Sequence, residues 1–514
     1  MSSPSHAEAA GTVAADARKV KITYRGDLPA VLVCMFVSCT GFFHGYDNGV
    51  VSLLYTMDAF RATMGWSDDA SMSMALTTNA FNVGAFLTAV STGYLLSDRY
   101  GRKPSLVIGS LLFAIGGGLQ AFSFGEVQLL IGRLLAGLGV GITSSAGCTY
   151  IAEISPPQMR GALVGVYQNN VCVGIVLAQL INNFAQDTAN GWRYSLGVQL
   201  AMGIVVLVGM LFVNETPRFL ERSGHSADAL RILKSIRGGD ELKARTELAL
   251  VQAEIKQEQQ VDQASWSEIF TNPFFRNVVV IGCLLQFFQI LTGINAFVSY
   301  QGTLLKQLDI KGFFPTLLPD IGFTIGNAIG SFILVDRVGR RWMFILGMAS
   351  MAVSVLVGGF VTMAAGDGPT DATAGWTIVA MIIAYKTAFG ISWGFGAYLY
   401  VTEIMPLRIR GNGVGLCIGM NWGPANIISA IITPVMLNGA MGPAGTFIFF
   451  GCVSALVVPF ATTCLPETKG KNLEEIAPLF HFLGFDGFSK FIRGNLRRGQ
   501  GALSVEKVEE MCSA

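Results

Sequence analysis

Apolar runs of about 20 residues, the length that crosses a hydrocarbon core of roughly 30 Å, recur near positions 29–52, 72–97, 105–123, 127–151, 161–184 and 194–213. Six more follow near 277–300, 314–335, 341–364, 375–404, 411–437 and 443–465. The stretch between the two sets, 214–276, interleaves acidic and basic residues and reads as short soluble helices. The pattern predicts an all-α polytopic membrane protein of twelve transmembrane helices. Two six-helix bundles, 29–213 and 277–465, are joined by a helical loop, with polar tails at 1–28 and 466–514.

Composition supports that reading: 52% of the chain is hydrophobic and only 13% charged, about half the charged share of soluble domains. The 61 glycines, sitting inside apolar runs, allow helices to approach closely. A net charge of +1 offers no bulk attraction for nucleic acid, but the placement of charge is informative. The tails and the loops after even-numbered runs hold 29 Lys and Arg, against 4 in the loops after odd-numbered runs. That asymmetry places both termini in the cytoplasm. Most of the nine cysteines fall in apolar runs, so no disulfide framework is expected. No metal-ligand spacing, phosphate loop or Ser-His-Asp order is present, so neither an enzyme nor a cofactor is expected.

The halves repeat. YIAEISPPQMRG from Tyr150 matches YVTEIMPLRIRG from Tyr400, DRYGRK from Asp98 matches DRVGRR from Asp336, and NETPR from Asn214 matches PETKG from Pro466. Three motifs in the same order are an internal duplication. Parallel six-helix repeats make a transporter whose substrate sits between the halves near the midplane.

With GYLLSDRYGRK, NETPRFL, QILTGIN and LPETKG, these motifs resemble the sugar porter family of the major facilitator superfamily, over about residues 30–470. The resemblance implies a central sugar cavity that opens alternately to either side, some members importing sugar with protons and others only equilibrating it. It also implies a cytoplasmic gate built from Asp98, Arg99, Arg102, Glu153, Arg160, Glu215 and Arg218. Asp336, Arg337, Arg340, Glu403, Arg410 and Glu467 mirror them. Such charges can latch the halves together while the cavity faces outward, although basic residues also simply anchor loops inside.

Charges inside apolar runs are costly enough to be functional candidates. Asp47 and Arg133 are two such, expected to pair. The pair is either a proton-coupling site, as the resemblance implies, or a structural tie between the first and fourth helices. His44, three residues before Asp47, shares its helical face and either binds sugar or shares its proton. Lys386, one turn before Phe389, either attracts an anionic substrate or snorkels to the outer interface.

A sugar site needs amides for hydroxyls and aromatic rings for the apolar faces. Gln286, Gln289 and, slightly offset, Asn295 share a helical stripe, and Asn421 and Trp422 lie in the eleventh run. The resemblance adds Gln168, Tyr300, Thr324, Phe389, Trp393 and Tyr398. It also shows departures: Ile290 replaces a glutamine, Thr324 an asparagine, and Phe395 a helix-breaking proline, leaving Gly390, Gly394 and Gly396 to permit bending. The expected function is an alternating-access importer of a monosaccharide with protons, working as a monomer in the lipid bilayer of the plasma membrane. A facilitative carrier and a symporter of an anionic sugar derivative or polyol are the alternatives.

Overall fold

The computed structural model describes residues 24–67, 70–92, 96–156, 159–260, 264–366, 371–469 and 480, apart from the side chains of residues 24–26, 257–260, 336 and 407. The first crossing is α1 (Tyr24–Ser38) and α2 (Gly41–Leu54). It continues with α3 (Ser71–Thr92), α4 (Arg102–Ala121), α5 (Glu126–Ile154), α6 (Arg160–Ala185) and α7 (Gly191–Phe212). Among the described residues, eleven crossings are long and apolar enough to span a membrane. The twelfth is α3, whose 22 residues include nine Ser, Thr and Asn because it lies against other helices rather than outside them.

Glycine spacing sets how closely these helices pack. Gly41, Gly45 and Gly49 recur every four residues on α2 and let it lie against α6; a Cβ at Gly45 would meet the Val171 carbonyl oxygen at 1.8 Å. Without a hydrophobic driving force between helices in lipid, such backbone approach is what holds them.

A linker of α8 (Pro217–Arg222), α9 (Ser226–Ile236), α10 (Glu241–Gln260) and α11 (Trp266–Thr271) follows. α9 buries Ala229, Ile232, Leu233 and Ile236, one face of a 3.6-residue period. Arg237, fully buried, clamps it to the first half, donating to both Glu247 oxygens at 2.7 and 2.6 Å and to the Ile154 carbonyl at 3.1 Å. Burial pulls its pKa down, but the bonds and charge of Glu247 outweigh it and leave the guanidinium above its ordinary value.

The second half is more broken. Its helices are α12 (Pro273–Leu291), α13 (Ile294–Val298), α14 (Gln301–Gln307), α15 (Phe313–Ile329), α16 (Arg340–Ala365), α17 (Ala372–Phe389), α18 (Phe395–Ile404), α19 (Arg410–Met420), α20 (Asn426–Asn438) and α21 (Gly442–Cys464). Gly293, at φ 97°, separates α12 from α13. π-helical turns at Gly390–Gly394 and Asn421–Ala425 interrupt the α17–α18 and α19–α20 crossings. The bend permitted by the glycines around Trp393 is therefore realised as a π turn, a feature found often at functional sites.

The halves meet tightly at the end away from the basic loops. There the Gly302 amide donates to Ser52 Oγ at 3.0 Å, Tyr300 and Tyr55 share Thr78 Oγ1 at 3.1 and 2.9 Å, and Asn183 donates to Thr316 at 2.9 Å. At the basic end a Cβ on Gly161, Gly411 or Gly415 would meet nothing within 4 Å.

Candidate functional site

Two buried polar centres face each other across the halves. In the first, Arg133 of α5 donates to Asp47 Oδ2 of α2 at 2.7 Å, both fully buried. Gln199 of α7 donates to the other carboxylate oxygen at 2.9 Å, and Arg133 also reaches the Thr77 carbonyl at 3.3 Å while lying over the Phe81 ring at 4.9 Å. Desolvating two charges is repaid only with further hydrogen bonds, and Gln199 supplies one to the second carboxylate oxygen. The carboxylate–guanidinium pair expected from sequence is thus present. Gln199 was absent from that expectation, although a lone amide in the very apolar α7 was a readable signal.

The His44 ring packs against Trp422, centroids 4.7 Å apart and planes tilted by 49°, and Trp422 lies 6.3 Å from Phe81. Trp422 of the second half is thus held between Phe81 and His44 of the first, with Arg133 lying over Phe81.

The second centre is an amide network around the π turn at Asn421. Asn421 Nδ2 donates to Gln286 Oε1 at 2.9 Å and Gln289 Oε1 at 2.7 Å, while its Oδ1 accepts from Tyr398 and Asn426, each at 3.2 Å. Asn295 donates to Asn426 at 2.9 Å, and Gln289 Nε2 is anchored on the Trp393 carbonyl at 2.7 Å. Gln286 Nε2 is buried without a protein partner. Across the seam, Gln168 of α6 is half-buried with no described hydrogen bond in the protein. Donors of this kind suit a polyhydroxylated ligand, whose hydroxyls both give and accept.

Other expected site residues lie elsewhere. Trp393 is fully buried and donates from Nε1 to the Phe344 carbonyl of α16 at 3.0 Å, facing the interior of the second half. Tyr300 is fully buried in the far-end closure and bonds Thr78 and the Ala430 carbonyl. Thr324 is bonded back to the Asp320 carbonyl at 2.9 Å, and Phe389 packs on Phe323 with ring centroids 5.8 Å apart.

Lys386 corrects both readings offered for it. It is fully buried, so it does not snorkel, and its charge is answered by Asp320 Oδ1 at 2.6 Å with a second bond to Gln301 Oε1. Asp320 lies in an apolar run and went unnamed in the sequence reading, although the rule that picked Asp47 covers it; the fold shows what it pairs with.

At the basic end the duplication is reproduced bond for bond. Arg102 Nη2 and Arg340 Nη2 donate to Glu153 and Glu403, each at 2.9 Å. Glu215 accepts from the amides of Arg102 and Lys103 at 3.2 and 3.1 Å; Glu467 accepts from those of Arg340 and Arg341 at 3.0 and 3.2 Å. Each caps a helix N-terminus with negative charge. Burial holds the Glu215 carboxyl above its usual range. These pairs close within one half rather than between halves. Asp98 meets Arg102 at 3.5 Å and Arg222 at 3.4 Å, and Arg218 meets Glu254 at 3.0 Å. Arg99, Arg160 and Arg337 are exposed, Arg410 is half-buried, and the Asp336 side chain lies outside the described residues. Gly339 has φ 94°, and a Cβ there would lie 2.6 Å from Glu467 Oε2. Gly339→Ala is expected to cost about 1–3 kcal/mol, read as a lowered melting temperature in detergent with the wild-type protein alongside.

A sequence model for sugar (and other) transporters matches residues 33–480. An arabinose-proton symporter of Bacillus subtilis is 31% identical over 88% of this chain and 95% of its own length. Sugar transport protein 10 of Arabidopsis thaliana is 30% identical, covering 88% and 91%. The inward-open structure of the xylose transporter XylE from E. coli superposes with a TM-score of 0.74 at 24% identity, over 88% of this chain and all of that one, a shared fold.

Proposed function

This chain belongs to the family of sugar (and other) transporters, and from that premise we propose that it imports a monosaccharide together with protons by alternating access between its halves. The observation that carries this reading is the Asp47–Arg133–Gln199 centre: a carboxylate, fully buried, whose charge depends on a single guanidinium partner 2.7 Å away. A proton on Asp47 removes that attraction, so protonation and the arrangement of α2 against α5 are linked. The similarity to an arabinose-proton symporter and to a plant sugar transport protein supports the same substrate class.

The amide network of Gln286, Gln289, Asn295 and Asn421, with Gln168 opposite, is the proposed sugar site, lined on one side by His44 and Trp422. The charged pairs at the basic end are proposed to cap and orient helices whose ends approach when the cavity faces the other way. Both termini are placed in the cytoplasm by the distribution of Lys and Arg, the protein acts in the plasma membrane, and two halves in one chain suffice for a working monomer. An anionic substrate loses its main support, because Lys386 is already neutralised by Asp320.

Uptake of labelled glucose, galactose, xylose, arabinose, inositol and galacturonate into proteoliposomes, with and without an inward proton gradient, tests the reading. Gradient-driven accumulation of a neutral monosaccharide is expected. Equilibration without accumulation makes the protein a facilitator, and activity on galacturonate alone rejects the neutral-sugar assignment.

A further inference from the structure

We propose that Asp320, paired with Lys386 and Gln301 at the seam between the halves, is a second proton-binding carboxylate, so that each sugar travels with two protons. The inference rests on the proton-coupled reading above and extends it to the second half.

Each half holds one buried triad of carboxylate, cation and glutamine: Asp47–Arg133–Gln199 and Asp320–Lys386–Gln301. Asp47 stands seven residues from the far end of α2 at Leu54, and Asp320 seven from the far end of α15 at Phe313. At 1.5 Å per residue both lie about 10 Å below that end. The second carboxylate differs in one respect. Both oxygens of Asp47 accept hydrogen bonds, whereas Asp320 Oδ2 is buried with no protein partner. An unused lone pair on a buried carboxylate is a place for a proton. Stability does not account for the pair, since apolar residues of equal volume generally serve as well or better.

The triad also sits where a coupling site must sit. Asn183 of α6 bonds Thr316 of α15 at 2.9 Å, and Asn169 bonds Ser331 at 3.3 Å, which fixes the two antiparallel helices in register across the halves. Four residues along each helix from Asn183 and Thr316 bring Gln179 level with Asp320. Both amide atoms of Gln179 are buried without a partner. The seam is therefore short of hydrogen bonds at Asp320, and water reaches it when α6 and α15 part.

The titratable groups that interact with Asp320 are Lys386 of α17 and Cys172 of α6, which senses both charges. α14 contributes the neutral Gln301, and α15 itself only Thr316, whose carbonyl accepts from Gln301 Nε2 at 2.8 Å. Lys386 Nζ is engaged by Asp320 Oδ1 and Gln301 Oε1, so the unpartnered Asp320 Oδ2 is the acceptor an arriving proton meets. An O–H bond forms at Oδ2, the ion pair becomes an ammonium beside a neutral acid, and Lys386 keeps its bond to Gln301. Gln301 opens α14, the helix whose next residue, Gly302, closes on Ser52 of α2. Proton loading at Asp320 thereby loosens the hold of α15 on Lys386 of α17, the side chain that grips the helix sealing the far end.

The test is the proton-to-sugar ratio n, read in proteoliposomes from the limiting accumulation at a gradient of one pH unit without membrane potential. Each coupled proton permits about tenfold accumulation, so the wild type is expected to approach about a hundredfold. Asp320→Asn/Lys386→Met, which removes both charges together, is expected to fall to about tenfold while retaining sugar counterflow. No accumulation in the wild type overturns the proton-coupled reading itself. A wild-type n of one leaves that reading standing and overturns the second site, as does an n of two that persists in the double variant. Asp320→Asn/Lys386→Gln serves if the first variant does not reach the membrane, and the wild-type ratio decides independently of both.

Discussion

Asp47→Asn is expected to leave sugar exchange across a vesicle membrane intact while removing the share of gradient-driven accumulation that the Asp47 proton supplies. Asparagine keeps the shape of the carboxylate and one oxygen, which can still accept from Gln199 or Arg133 but not from both as the carboxylate does. The charge that answered Arg133 is gone, and a buried charge stripped of its partner costs about 3–5 kcal/mol. Arg133 retains the Thr77 carbonyl and the face of Phe81, which moderates that loss. The decisive point is that an amide takes up no proton in the physiological range, so the site no longer distinguishes the two sides of the membrane by pH. With one pH unit across the vesicle, accumulation by this site falls by about tenfold, the factor one proton supplies. Counterflow at zero gradient is the companion measurement. Accumulation equal to wild type in the variant would remove Asp47 from coupling.

Asn421→Ala is expected to do the opposite, weakening sugar binding with coupling intact. Its side chain is the hub of the amide network, joining Gln286 and Gln289 of α12, Tyr398 of α18 and Asn426 of α20. Removing it leaves Gln286 and Gln289 carbonyls without that donor and withdraws an acceptor from Tyr398. Each buried group so orphaned costs about 1–3 kcal/mol. Even one such loss raises the half-saturating sugar concentration about tenfold, measured by counterflow, while the proton-to-sugar ratio stays unchanged. An unchanged half-saturation would move the sugar site away from this network.

The two variants separate centres that the sequence already distinguishes by residue type. Charges inside apolar runs marked Asp47 and Arg133 as expected partners, because a charge in lipid calls for an opposite one. The amides of α12 were legible as a stripe, since Gln286 and Gln289 are three residues apart on one helix. Trp393, named through the family resemblance, donates from its indole to the Phe344 carbonyl inside the second half. A π turn over Gly390–Gly394 inserts an extra residue into the helix, and one residue at 3.6 per turn rotates everything beyond it by about 100°. Faces beyond Gly394 therefore do not follow from the helical register before it. His44 shares the helical face of Asp47, but what it touches is Trp422, contributed by the other half.

What the amino-acid order settled by itself was the number and sequence of crossings, the duplication, and the chemistry each helix carries, because hydrocarbon enforces length and apolarity one helix at a time. The mirrored pairs Arg102–Glu153 and Arg340–Glu403 repeat because the motifs do, but that each closes within its own half was decided by the fold. Only the tertiary structure decided which polar group meets which. Lys386 found Asp320 and Gln301 on two other helices, and Asp47 found Gln199 on a third. Periodicity defines the polar face of one helix; its rotation and depth against its neighbours are set by packing of the whole bundle, through glycine contacts and π turns that no single run of residues contains.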